Sequence, residues 1–441
     1  MNIDFAYRAH SHSYKIDPII RSLLDVDFYK LLMQQLVYTN HYFTRVEYAI
    51  INRTLSVDLA QEINRAELRE QLEYCRTLRF TPSELIWLTG QTFYGQMGIF
   101  HKSYIDYLRT FQLPEFELSN DQNVFDLRFS GSWVEVKLWE IFAISIINEM
   151  RYREIMKKMS KSQLDIMYAR AKVRLYDKLE ILSNIEGLNL TDFGTRRRHS
   201  FLWQEHCVLT AMEVLGDKFT GTSNVHLAMK HNLEAKGTNA HSLPMVFAAL
   251  AKNDEELKQS QYKVLREWEE FYRGNMLVFL PDTFGTTQFL RNAPPILAQT
   301  WAGARPDSKD PIVGGEELIN WWKMHGVNPQ EKLIIFSDGL DVNLDRRDAI
   351  NMDNDIPTIQ EHFKDRVKVG FGWGTNLTND FRFNSEMKPI SLVCKVASVN
   401  GKPAVKLSDV KSKATGEAEE VKRYQRVFGE EGIEIGPVLI V

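Results

Sequence analysis

LNLTDFGTRRRH, residues 188–199, decides the fold: a short β-rich run, a Gly-Thr turn, then three consecutive arginines. The same order recurs downstream. Apolar, β-rich runs lie at 219–221, 276–280, 301–304, 333–336 and 367–371, each followed by a small-residue turn and separated by stretches long enough for helices. This rhythm, beginning near residue 155, predicts parallel β/α units closed into a barrel or wound as an open sheet. In either architecture ligands collect beyond the carboxyl ends of the strands, where these turns fall.

Upstream, SLLDVDFYKLLMQQL (22–36) has helical apolar spacing behind Ser22 as a cap; 46–52 reads as a strand and 58–75 as a charged helix. VFDLRFSGSWVEVKLW (124–139) alternates, predicting a hairpin about Gly131 that leads into an apolar helix over 140–150. Downstream, ISLVCKVASVNGKPAVKLSD (390–409) is two alternating runs about Asn400-Gly401, a β-hairpin expected to rejoin the first domain. Residues 411–422 read as a charged surface loop or the start of a helix. The expected division is an α+β domain from 1–155 plus 386–441 and a phosphate-binding α/β domain from 156–385.

The 441 residues carry 54 Lys plus Arg against 58 Asp plus Glu, a net charge of -4. That balance provides no global basic field, so nucleic acid is not an expected partner and any anion site must be local. Cys75, Cys207 and Cys394 lack metal or disulfide spacing and are expected as buried thiols in a reducing compartment. The amino terminus lacks a secretory pattern, and no apolar run approaches the roughly 20 residues that span a bilayer. A cytoplasmic protein without a membrane partner is the expectation.

Chemistry concentrates in the turns. Guanidinium groups bind phosphate oxygens in a bidentate manner, so Arg196 and its neighbours suit a phosphate ester, although an isolated arginine triplet also fits a solvated patch. FTGTSN (219–224) and GTNAH (237–241) offer backbone N–H groups to an anion, and His241 there suits a nucleophile or an acid–base group. DTFGTT (282–287), RPDSKDP (305–311) and SDGLD (337–341) place Asp282, Asp307 and Asp338 after strands, where carboxylates suit sugar hydroxyls or Mg²⁺. GFGWGT (370–375) adds another glycine turn, and no Walker A ending occurs.

These motifs, together with LLDVDFYKLLMQQLV (23–37), resemble the bacterial nicotinate phosphoribosyltransferase family in order and approximate spacing. The resemblance implies a type II phosphoribosyltransferase: an incomplete α/β barrel with a second domain from both chain ends, and a homodimer with shared sites. It implies nicotinate, phosphoribosyl pyrophosphate and ATP as substrates, with Mg²⁺. Carried over by motif, Tyr29 and Phe193 sandwich the pyridine ring, while Thr238 and Arg305 contact nicotinate. Arg196 binds phosphate or pyrophosphate, Asp282 and Asp307 lie near ribose and metal, and Gly339, Gly374 and Thr375 lie near the 5'-phosphate. His241 resembles the autophosphorylated histidine that couples ATP hydrolysis to synthesis, and Arg53 is placed to reach across the dimer.

One position departs from the family's pattern, and another separates the chain from its nearest rival, the nicotinamide phosphoribosyltransferases. Lys309 replaces a glycine in the Asp-Ser-Gly-Asp-Pro pattern, which puts Ser308 and Asp310 in question. Ser223 stands where nicotinamide-using relatives have aspartate, favouring the acid as substrate. A silent phosphate-binding scaffold and a histidine phosphocarrier are the readings from other classes.

Overall fold

In the computed structural model, residues 17–93, 95–121, 123–345 and 354–434 are described. The amino-terminal stretch read above for an export signal falls mostly outside them.

Strand β1 (Arg45–Asn52) forms where the β-rich run predicts it. The small ribbon of β2 (Thr92–Phe93) and β3 (Met97–Gly98) follows, then β4 (Glu117–Leu118) and β5 (Leu127–Ser132). The hairpin expected about Gly131 does not form. Gly131 lies inside β5, opposite Val46, and the chain passes directly into helix Trp133–Val136. Alternation in 133–136 therefore reports a helix start, a known ambiguity of short apolar runs.

The amino-terminal helix runs Phe28–Asn40, later than expected, because Ser22 donates to Glu84 Oε1 and accepts from Leu24 N instead of capping a helix. The charged helix is interrupted, as Leu59–Glu62 and Arg65–Thr77, with Asp58 and Asn64 each capping its own piece. Helix Trp139–Met156 is longer than its expected 140–150 and is buried on nearly every side. An all-round buried helix belongs in the middle of a structure. From it Ser145 Oγ donates to Thr195 O at 3.1 Å and Asn148 Nδ2 to Arg196 O at 3.3 Å, fixing the arginine turn.

The second sheet contains β6 (Leu190–Asp192), β7 (Phe219–Thr222), β8 (Val278–Phe279), β9 (Gly303–Ala304), β10 (Leu333–Phe336) and β11 (Lys368–Trp373). All of its pairings are parallel, in the order β7-β6-β11-β10-β9-β8. Chain neighbours are thus sheet neighbours except β7 and β8, between which the wall stays open: an incomplete parallel α/β barrel. Beside the gap, Thr222 bridges Ala235, and Gly221 is required there, since a Cβ on it would sit 2.3 Å from Glu234 O.

Strand β12 (Leu392–Val399) turns through Asn400 and Gly401, both at positive φ, into the short β13 (Lys402–Pro403). Positive φ at both turn residues is the tight-hairpin signature that Asn-Gly predicts. β12 pairs antiparallel with β1, giving a five-stranded sheet of order β13-β12-β1-β5-β4 built from both ends of the chain.

The tail then leaves this sheet. Leu407 N and Ser408 N donate to Thr283 O, and helix Ala418–Phe428 packs on the barrel through Phe428, which stacks on Phe284 at 4.4 Å. The segment assigned wholly to the terminal domain thus divides between the two, because its second run carries Val405 and Leu407 into a small apolar cluster with Phe284. All three cysteines are buried free thiols. No helix among the described residues is long and apolar enough to cross a membrane.

Candidate active site

A cavity of about 610 Å³ is lined by the turns after β6, β7, β10 and β11 and by residues of β12. Strand periodicity decides which side chains reach it. On β10, Leu333 and Ile335 line the cavity while Ile334 and Phe336 are buried behind.

The Asp192 carboxylate, at the end of β6, organises the first wall. It accepts from Gly194 N at 2.7 Å, Thr222 Oγ1 at 2.7 Å and Gln204 Nε2 at 2.8 Å, and burial pushes its pKa up to about 6. The following Thr195–Arg197 is a single 3₁₀ turn, whose consecutive side chains point about 120° apart. The arginine triplet therefore splits. Arg196 and Arg197 line the cavity, whereas Arg198 is fully buried in a bidentate pair with Asp25, both contacts 2.6 Å. The concentrated cationic block predicted from sequence is two residues and not three.

Tyr29 and Phe193 both line the cavity, each seated against a glycine. A Cβ on Gly372 would lie 2.2 Å from the Phe193 ring, and one on Gly237 would lie 2.9 Å from Tyr29 N. Arg305 donates to Asp307 Oδ1 at 2.6 Å, Ser337 Oγ at 3.1 Å and Asn239 O at 3.1 Å. Thr238, Gly339, Gly374 and Thr375 also line the cavity, with Gly339 at φ 64°.

His241 is buried at the start of helix Ser242–Ala249. Nδ1 meets Thr283 Oγ1 at 3.0 Å; Nε2 faces Lys406 Nζ at 3.0 Å, Asp307 Oδ2 at 3.2 Å and Asp282 Oδ2 at 3.6 Å. Burial, reinforced by Lys406, drops its pKa to about 4, so the ring is neutral at pH 7. The proton of the neutral ring has two places: on Nδ1 it is donated to Thr283 and Nε2 accepts from Lys406, and on Nε2 it is donated to Asp307. Burial raises the pKa of Asp307, but Arg305 and the His241 hydrogen bond hold it well below the usual carboxylate range.

Asp282 does not line the cavity. It is fully buried behind it, accepts from Ser308 Oγ at 2.6 Å, and its Oδ1 has no hydrogen-bond partner among the described residues. Asp338 pairs with Lys413 at 2.6 Å. Among the described residues no three His, Cys, Asp or Glu side chains gather as a metal-binding group.

Lys309 is not at positive φ, so lysine is tolerated in place of glycine. Its Nζ reaches Thr287 Oγ1 at 2.9 Å and Glu317, and Asp310 caps helix Pro311–Met324; both act in the loop and not in the cavity.

Arg53 lies at the cavity of its own chain, donating to Lys413 O at 2.8 Å, so its place there needs no second subunit. The substrate argument from Ser223 also changes. Ser223 Oγ donates to Asp27 Oδ1 at 2.6 Å, and Asp27 itself lines the cavity, so serine at 223 does not leave this wall without a carboxylate. Burial raises the Asp27 pKa and weakens that negative charge.

The family model for the nicotinate phosphoribosyltransferase (NAPRTase) family matches residues 188–432, and that for its N-terminal domain matches 24–148. The chain belongs to the nicotinate phosphoribosyltransferase family. A solved nicotinate phosphoribosyltransferase from Porphyromonas gingivalis is 28% identical with a TM-score of 0.77, covering 93% of this chain and 100% of that one. Another, from Vibrio cholerae, is 29% identical with a TM-score of 0.79, covering 95% of each.

Four cavity lysines were missed from sequence: Lys236 just before the GTNAH turn, Lys395 on β12, and Lys406 and Lys413 beyond β13. Lys413 contradicts the reading of 411–422 as surface, being 7% exposed and paired with Asp338. Lys406 sits in the alternating run that carried the hairpin prediction; nothing local to it signals His241, 165 positions away.

Proposed function

We propose that this chain joins nicotinate to phosphoribosyl pyrophosphate, giving nicotinate mononucleotide and pyrophosphate, with ATP hydrolysis coupled through His241. The observation that carries the reading is the convergence, in one cavity, of two aromatic walls, Arg305, the Arg196–Arg197 turn and His241. The flat pyridine ring fits between Tyr29 and Phe193, and its carboxylate takes Arg305 in exchange for Asp307. Its nitrogen forms the bond to the anomeric carbon as the carbon–oxygen bond to pyrophosphate breaks, the electron pair leaving on pyrophosphate. Catalysis then rests on positioning and on stabilising the departing charge, which Arg196 and the neighbouring cations supply.

In the ATP step the Nε2 lone pair of His241 attacks the terminal phosphorus, the bond to ADP breaks, and water later releases phosphate from the ring. Lys406 beside Nε2 offsets the added negative charge.

Asp307 is taken up by Arg305 and Ser337 and Asp282 lies behind the wall, which favours Mg²⁺ held by substrate oxygens over a resident site. Mg²⁺ belongs to this proposal as an ion carried in on the polyphosphate. A cytoplasmic homodimer also belongs to it, checked by light scattering, although the residues named here meet within one chain.

Labelling with ATP carrying a radioactive terminal phosphate tests the coupling. Acid-labile label on wild type, none on His241→Ala, and ATP stimulation of mononucleotide synthesis lost only in the variant are expected. Label persisting in His241→Ala would remove the phosphohistidine from the account.

A further inference from the structure

Cations line the cavity in number, and their partners differ. Arg53 and Arg197 donate to the carbonyls of Lys413 and Leu392. Lys236 pairs with Glu234, Arg305 with Asp307 and Lys413 with Asp338; Arg196 lies 3.9 Å from Glu140, and Lys406 meets His241. Among the described residues Lys395 alone of these makes no hydrogen bond and no close ion pair, Glu140 acting on it only from a longer distance.

Its placement is fixed. Lys395 sits opposite Ala49 in the β1–β12 ladder, between the buried Cys394 and Val396, so strand alternation turns it to the face that the barrel covers. A partly buried ammonium without a partner is unfavourable in the empty site and becomes favourable when an anion fills it. The anion must also suit Arg53, Arg196 and Lys406, the other cations that act on Lys395. Four cations around one space exceed what a single carboxylate needs and match a polyphosphate.

We propose that Lys395 is a ligand for the diphosphate of the phosphoribosyl donor, held out to the barrel by the strand from the chain's carboxyl end. This rests on the phosphoribosyl transfer proposed above and not on the phosphohistidine. Burial, then Lys406, brings the Lys395 pKa down to about 7, with Glu140 opposing and Arg196 and Arg53 reinforcing the fall. No titratable side chain from helix Ser242–Ala249, which packs against β12, enters this set. Diphosphate binding therefore returns the lysine to its charged form and takes up a proton near neutral pH.

The test is titration calorimetry of the full chain at pH 7.5 with inorganic pyrophosphate, in buffers of different ionisation enthalpy. Lys395→Gln is compared with wild type and with Lys402→Gln, an exposed lysine on β13. Loss of at least tenfold in pyrophosphate affinity and loss of proton uptake are expected in Lys395→Gln only, with partial recovery of affinity in Lys395→Arg. The KM for phosphoribosyl pyrophosphate should rise while that for nicotinate stays within about twofold.

A parallel titration with ATP separates sources: an effect on ATP alone, with pyrophosphate unchanged, overturns the assignment to the phosphoribosyl donor. Wild-type affinity and proton uptake in Lys395→Gln overturn it outright. Pyrophosphate titration reads binding without turnover, so failure of the synthesis assay leaves this result separately legible.

Discussion

Gly372 carries no Cβ because the Phe193 ring lies across it. Gly372→Ala should push that ring into the space offered to the pyridine, costing about 1–3 kcal/mol of stability for the forced shift. Steady-state kinetics should show the KM for nicotinate raised about tenfold or more, and that for phosphoribosyl pyrophosphate nearly unchanged. Elsewhere, His199 is buried, stacks on Phe381 at 4.1 Å and meets Tyr168 OH at 2.9 Å, and burial lowers its pKa to about 3. Below about pH 6.5 the unfolded chain takes up this proton and the folded chain does not, so its contribution is complete above 6.5 and is lost as pH falls toward 3. Asp192 and Asp409, raised to about 6 by burial, act in the opposite direction, so the comparison requires a variant. The stability gap between wild type and His199→Gln in denaturant melts should shrink by about 2 kcal/mol from pH 7 to pH 5. At this scale Arg196 and Arg305 were legible because each follows a strand in a turn, and His241 because it closes a glycine turn ahead of a helix. Lys395 was not: in an alternating strand a lysine reads as solvent-facing, and only the barrel opposite makes that face a cavity wall.

Among the elements, the runs that stand alone between turn signals were the legible ones. Strand β10 forms as read, and the Asn400-Gly401 turn forms because its two residues tolerate positive φ. The hairpin about Gly131 failed because alternation over few residues fits a strand entering a helix equally well. The carboxyl-terminal helix Ala418–Phe428 matters through what it anchors. Phe428 and Phe284 stack nearly parallel, at 7°, and the segment holding Lys406 packs in the same apolar cluster through Val405 and Leu407. Phe428→Ala should cost about 3 kcal/mol in urea melts. It should also weaken ATP stimulation of synthesis by releasing Lys406 from His241. Lost stability with undiminished stimulation would mean that the Thr283 hydrogen bonds alone hold Lys406.

Across the whole molecule, the cavity has one wall from barrel turns and another from a sheet in which β12, from the carboxyl-terminal part of the chain, pairs with β1. Parallel β/α rhythm and the order of the motifs made the barrel and its ligand-bearing end readable, since both depend on local sequence. The opposing wall depends on β12 pairing with β1 across more than 340 residues, and no local pattern encodes which side chains that docking turns inward. Substrate choice belongs to this scale, because Arg305 comes from the barrel, Tyr29 from the amino-terminal helix and Asp27 from its cap position. The most direct measurement is chromatography of the mononucleotide formed from phosphoribosyl pyrophosphate and Mg²⁺ with nicotinate, nicotinamide or quinolinate in parallel. Nicotinate mononucleotide and equimolar pyrophosphate from nicotinate, with the other two bases inert, is the predicted result. Product from nicotinamide in preference to nicotinate, or no product from any base, would contradict the account.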